Sequence, residues 1–249
     1  MKKQHVFALG VTVFLCLLST QAIAGLFSPM WEWDHPKLVG KVKEIEERSA
    51  NVTHKIAYDA QGRRTEAQRL DQYGRIVSRY FFTYDKDGNL ILIECFTGNN
   101  PNPLRETIYY AEKGIIKLID SFESPRRAEF VYDDKKRIKD VVVMGAQGLT
   151  KAKWTFLYDA QGRFAGETYT DLDGNYAGKR VFVYNAEGFL AEQTTYNAQN
   201  QVTGKRTYTY EYDKQGNWVK KTVVWLDYPK PGQKPNEAKS VVTRKIKYY

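Results

Sequence analysis

Trp154-Thr155-Phe156-Leu157-Tyr158-Asp159-Ala160-Gln161-Gly162-Arg163-Phe164 is one copy of the pattern that decides how this chain folds. Trp154, Phe156 and Tyr158 alternate with smaller residues, so they share one face of an extended strand. Asp159 has a side chain that bonds backbone amides two residues on, as in an Asx-turn. Gly162 supplies the positive φ that a tight reversal needs. Phe164 then opens the returning strand. The stretch reads as strand, corner, strand.

The same Tyr-Asp-x-x-Gly pattern begins at Tyr58, Tyr84, Tyr110, Tyr132, Tyr158, Tyr184 and Tyr212, with steps of 26, 26, 22, 26, 26 and 28 residues. A fixed period of this size marks a repeat architecture. The corner glycines are Gly62, Gly88, Gly114, Gly162, Gly188 and Gly216, and Lys136 stands in that place in the fourth copy. Ala111 and Asn185 replace the aspartate in two copies. Replaceable aspartates are corner formers, whereas metal ligands or catalytic acids would have to be kept. The tyrosines and glycines of the motif are therefore read as structural, the tyrosines as a buried ladder. A second series of reversals, at Gly74, Gly148, Gly174 and Asn200, falls between the first. The chain thus turns back every 12 to 14 residues in its regular part, alternately at two edges.

These turns predict an all-β fold: an antiparallel meander of about fifteen strands built from about seven 26-residue hairpin repeats. Open twisted sheets seldom exceed about ten strands without curling or splitting. A curled sheet or a barrel-like shell is expected, and the sequence does not choose between them. Lys41 to Arg48 is read as a strand pairing with Val52–Tyr58, and Val241 to Tyr249 as the last strand.

The N-terminus reads as a secretory signal. Lys2 and Lys3 precede an apolar run from Val6 to Leu18, and Ala22-Ile23-Ala24 is a small-x-small cleavage site. The expected organisation is a signal peptide over 1–24 and a single β-repeat domain over 25–249. Within that domain, 25–50 is an N-terminal cap, 51–228 holds the repeats, and 229–249 is a proline-rich loop with a final strand. The expected location is the periplasm or the exterior. Loss of Lys2 and Lys3 lowers the formal charge from +9 to +7, and Cys95 remains as the one cysteine, so no internal disulfide forms. No later segment is apolar enough for a transmembrane helix.

The remaining residues point away from catalysis. Only His35 and His54 follow residue 24, and neither has metal-ligand spacing around it. No phosphate loop, nucleophile elbow or Cys-His arrangement occurs. The chain is expected to be no enzyme and to take no cofactor or metal. The alternatives are a polysaccharide-active envelope enzyme using a carboxylate pair, and an outer-membrane β-barrel. The barrel alternative asks for an apolar lipid-facing band. The final strand shows none, since Lys245 and Lys247 interrupt one face and Arg244 the other.

The stretches Phe156-Leu157-Tyr158-Asp159-Ala160-Gln161-Gly162-Arg163, Phe82-Thr83-Tyr84-Asp85-Lys86-Asp87-Gly88 and Tyr210-Glu211-Tyr212-Asp213-Lys214-Gln215-Gly216 resemble the tyrosine-aspartate, or Rhs-type, repeats of bacterial exported proteins. The resemblance spans roughly Val52 to Trp225 and is closest to the small stand-alone forms. It implies a coiled β-sheet, as in large relatives whose repeats form a hollow shell, and no chemistry of its own. With about seven units and a longer period, this chain departs from those large shells. The functional expectation is a non-enzymatic scaffold that binds an envelope glycan, an anionic polymer or a partner protein, and not nucleic acid. Trp31 and Trp33 lie outside the repeats as a possible binding pair, read first as an end cap of the kind repeat proteins need.

Overall fold

The computed structural model describes residues 38–98, 101–102, 104–110, 116–121, 126–144, 151–171, 173–229 and 233–249. Among the described residues, sixteen strands follow one another: β1 Val42–Arg48, β2 Val52–Tyr58, β3 Arg64–Asp71, β4 Ile76–Tyr84, β5 Leu90–Thr97, β6 Leu104–Tyr110, β7 Ile116–Ser121, β8 Arg126–Tyr132, β9 Ile138–Met144, β10 Lys151–Tyr158, β11 Phe164–Thr170, β12 Tyr176–Tyr184, β13 Leu190–Asn197, β14 Val202–Tyr212, β15 Trp218–Asp227 and β16 Asn236–Tyr248. Contacts gather Val39–Val183 and Ala191–Tyr249 into one unit, and set Leu38 and the corner Tyr184–Leu190 in a second. Each is described by itself.

The all-β meander is as expected. The seven repeats supply the fourteen strands β2–β15, and β1 and β16 flank them, one strand more than the expected fifteen. Strands adjacent in the sheet are consecutive in the chain, and β1 lies between β2 and β16, so the strand order closes on itself. Ile45 shows the junction: it faces Ile56 on one side and Ile246 on the other. The stretch assigned to the cap thus contains a full strand. β16 also starts five residues before the expected Val241, because Asn236–Ser240 pair along Val223–Asp227.

A register shift precedes the corners, and it explains the spacing of the repeat. Tyr58, Tyr84, Tyr110, Tyr132, Tyr158 and Tyr212 pair with Arg64, Leu90, Ile116, Ile138, Phe164 and Trp218, each six positions on. The extra residue is a β-bulge. It returns the tyrosine and the residue two places after the glycine to the same face. At the other edge Leu70 and Ile76, Thr170 and Tyr176, and Tyr196 and Val202 repeat the arrangement.

One face of the sheet is packed. Ile45, Ile56, Tyr58, Ile93, Val141, Val143, Phe156, Phe164, Phe182, Trp218 and Val223 are all buried. Phe164 meets Phe156 at 5.4 Å and Phe182 at 4.9 Å between ring centroids. Burial of these rings supplies the driving force that each hairpin lacks alone. The other face carries cross-strand ion pairs: Lys55 with Glu46, Arg79 with Glu66, Lys153 with Asp140, Lys205 with Glu192 and Lys247 with Glu44.

Candidate functional site

The corners hold most of the residues singled out from the sequence. At Asp59 one carboxylate oxygen accepts the amides of Gln61 and Arg63, and the other accepts Arg63 Nε at 2.7 Å. The backbone closes the loop through the Gly62 amide donating to Asp59 O. Asp71 with Arg75, Asp133 with Arg137 and Asp159 with Arg163 repeat this set of bonds. Asn89 replaces the arginine at Asp85. The turn aspartates are therefore saturated acceptors. Hydrogen bonds from Asn89 hold the Asp85 carboxyl below the usual carboxylate range, and those from Arg137 do the same for Asp133. At Asp59, Asp71 and Asp159 slight burial pushes the carboxyl up, but the corner's hydrogen bonds and its arginine outweigh that and hold it down.

The glycine place requires a left-handed backbone. Gly62, Gly88, Gly162, Gly188 and Gly216 have φ between 79° and 90°. Lys136 and Asn200, which stand in glycine places, adopt φ of 61° and 58°. Arginines at the corners also link one repeat to the next. Arg63 lies 5.0 Å from the Tyr84 ring and Arg137 lies 4.2 Å from the Tyr158 ring. Their guanidinium nitrogens come within 3.9 Å of where a Cβ on Gly88 or Gly162 would stand. Tyr158 also donates to Ile138 O at 2.7 Å. Tyr58 is buried, but Tyr84, Tyr132, Tyr158, Tyr184 and Tyr212 are half-buried, which corrects the expected buried ladder. They stand at strand ends, where the preceding arginine can cover a ring that the sheet leaves open. Tyr248, at the end of β16, donates to Asp213 and accepts from Asn217.

Between the corners, β1, β15 and β16 carry buried charge on the packed face. Arg244 Nε donates to Glu47 at 2.7 Å, and its guanidinium lies 3.4 Å from the Trp218 ring centroid. Lys221 Nζ approaches the same indole at 5.1 Å. On β11 and β12 the buried Glu167 pairs with Arg180. Burial pushes the Glu167 carboxyl up against the pull of Arg180. Each of these two carboxylates is held by its own guanidinium. His54 on β2 stands opposite Glu47, and Cys95 is half-buried on β5, outside any disulfide. Among the described residues, no three His, Cys, Asp or Glu side chains gather as a metal site.

The accessible constellation lies at the other edge of the sheet. The turn Ser49–Asn51 and the corner Leu70–Gly74 border a depression of about 470 Å³, lined also by Glu46, Arg48 and Lys55. Tyr73, between the lining residues Gln72 and Gly74, is 73% exposed, and Arg75 stacks on its ring at 5.1 Å. The charges here are layered. Arg48 and Lys55 are 59% and 44% exposed, whereas their partner Glu46 is 16% exposed. Arg75 is 75% exposed and its partner Asp71 is 23% exposed. Carboxylates beneath and cations above leave a cationic outer surface with one aromatic ring on it.

Sequence reading did not find this site. The available signal was Tyr73 itself: every other corner has a small or polar residue directly before the glycine. Trp31 and Trp33 lie outside the described residues, as does Gly114, and Tyr110 is described only in its backbone.

No family model matches the chain, and no curated protein matches it in sequence. Among solved structures it is similar to a porin-like protein from Bacteroides vulgatus, with a TM-score of 0.45 and 12% identity over 84% of this chain and 98% of that one. A porin-like protein from Bacteroides uniformis aligns at a TM-score of 0.42 and 14% identity, over 84% and 99%. A LolA superfamily protein from Nitrosomonas europaea aligns at 0.33 and 11%, over 86% and 87%.

Proposed function

We propose that the protein is a non-enzymatic, exported β-repeat scaffold of the tyrosine-aspartate type, and that it binds an anionic polymer of the cell envelope, foremost an acidic glycan. The observation that carries this is the layered charge beside Tyr73: cations outermost, carboxylates beneath, and an exposed ring between them. An aromatic face stacks on a sugar ring, while guanidinium groups take carboxylate or phosphate oxygens in paired hydrogen bonds. The formal charge of +7 left after removal of Lys2 and Lys3 adds long-range attraction to such a polymer. Export is supported by Lys2, Lys3 and the apolar run before Ala24. The turn aspartates are engaged as corner acceptors, and ion pairs on the second sheet face suit water better than lipid.

Isothermal titration with polygalacturonate, and with neutral dextran beside it, tests the reading. Saturable binding of the acidic polymer alone is expected, weakened about tenfold or more by Tyr73→Ala with Arg75→Ala and by added salt. Equal affinity for dextran, or binding indifferent to the double substitution, rejects it.

A further inference from the structure

The junction between the first and last strands leaves a step. β1 pairs with β16 from Tyr248 back to Thr243, where Arg48 is its last partner. β16 continues to Asn236, and those earlier residues pair with β15 on their other side. Among the described residues, the β1 side of Asn236–Val242 therefore has no strand beside it. Its outward groups follow from parity. Tyr249 N donates to Lys41 O, so odd-numbered residues of this strand direct their amide and carbonyl toward the β1 side. Val241, Lys239 and Glu237 thus present a row of backbone donors and acceptors to solvent. All three side chains are exposed. Such an edge is a template for another strand unless it is blunted.

The side chains say what fits. For two copies of this edge to pair antiparallel about a twofold axis, outward-pointing residues must face outward-pointing residues. Centring the axis on Lys239 sets Lys239 against Lys239. Centring it on Glu237 sets glutamate against glutamate. Centring it between them, on Ala238, sets each Glu237 opposite the other copy's Lys239. It also places Asn236 opposite Ser240 and brings only the small Ala238 side chains together at the axis. Moving the axis to Ser240 would run into Thr243, which Arg48 already covers. Like charges opposite one another destabilise a pair and unlike charges stabilise it, so one register is selected.

We propose that this edge is a self-association site, at which two copies of the chain join β16 to β16 antiparallel with the twofold axis at Ala238. The inference is independent of the polymer site. The interface is small, so the dimer is weak and concentration-dependent.

Sedimentation equilibrium on the exported chain, over a concentration series reaching the submillimolar range, reads the proposal. A monomer–dimer equilibrium is expected, and Glu237→Lys or Lys239→Glu alone should weaken it by about tenfold, because each substitution acts twice across the axis. The exchanged pair Glu237→Lys with Lys239→Glu should restore it. Ala238→Cys should give an oxidised dimer, since residues facing one another at a non-hydrogen-bonded position lie within disulfide reach. All these side chains are exposed, so unchanged circular dichroism and melting are expected of every variant. A parent chain that stays monomeric through the series overturns the proposal. So does a dimer that both single substitutions leave intact, or one that the exchanged pair fails to restore.

Discussion

The corners and the first-to-last strand junction treat charge in opposite ways. A corner places its carboxylate at the surface and surrounds it with donors from the next four residues, so one short stretch satisfies itself. The junction places Glu47, Arg244 and Lys221 on the packed face, with partners nearly two hundred residues apart for Arg244 and Glu47. Local satisfaction tolerates substitution, and Asn185, Asn197 and Lys136 all occupy motif positions without loss of the turn. Satisfaction at a distance does not, because the dielectric around this pair is low and its partner comes from a remote strand. The repeat is therefore the robust part, and the residues between its copies are the sensitive part.

Removing one partner at the junction tests that contrast most severely. Arg244→Ala leaves Glu47 half-buried without its guanidinium and uncovers Trp218, and is expected to cost about 3–5 kcal/mol in urea unfolding. A loss below about 1 kcal/mol would mean the junction is no more sensitive than the corners. Gly178→Ala comes next. A Cβ there would run into the Tyr196 carbonyl oxygen, which is backbone and cannot turn aside, so about 2–3 kcal/mol should be lost. At the corners the effects shrink and can change sign. Lys136→Gly removes the left-handed strain of a residue at φ 61° and should raise stability by about 1 kcal/mol. A lower melting temperature for that variant would show that Lys136 does more than hold the turn.

Acid titration separates the corners from the buried Glu167 of β11 by sign and has the smallest expected effect. Asp59, Asp71, Asp85, Asp133 and Asp159 all sit below their ordinary value in the folded chain. Their contribution is fully present above the unfolded pKa of about 3.9 and is lost as pH falls through the folded value. Glu167 is raised, so its contribution is present below its unfolded value and is lost as pH rises through the folded one. Melting followed by circular dichroism should fall below about pH 4, where five corners outweigh one buried glutamate. A melting temperature that rises toward pH 3 would place Glu167 in control.

Much of the fold was legible because its cause is local. Tyr158, Asp159 and Gly162 lie within five residues, and their roles follow from strand alternation, side-chain acceptors and positive φ. The arginine after the corner's left-handed residue was equally visible, at Arg63, Arg75, Arg137 and Arg163, but the second role of Arg63 and Arg137, covering the next repeat's tyrosine, is a contact between units and needs the sheet's register. The depression beside Tyr73 was out of reach for the same reason. Ser49–Asn51 and Leu70–Gly74 come together only because Val52 faces Asp71 across two strands. The order of closure was also hidden, since nothing in Val42–Arg48 alone names Thr243–Tyr248 as its partner.

That closure bears on how the chain folds in time. Among the described strands, every pair but β1 with β16 joins neighbours in sequence, so hairpins can zip one after another with short loops to close. The pairing of β1 with β16 alone spans most of the chain, and Glu47 and Arg244 are 197 positions apart. Loop-closure entropy grows only slowly with length, but no neighbouring contact helps bring these ends together. Until they meet, the ribbon has two long bare edges, each able to capture a strand from another molecule. The meeting of first and last strands is thus the long-range step of folding, and among the described residues it leaves the β1 side of Asn236–Val242 as the edge still bare.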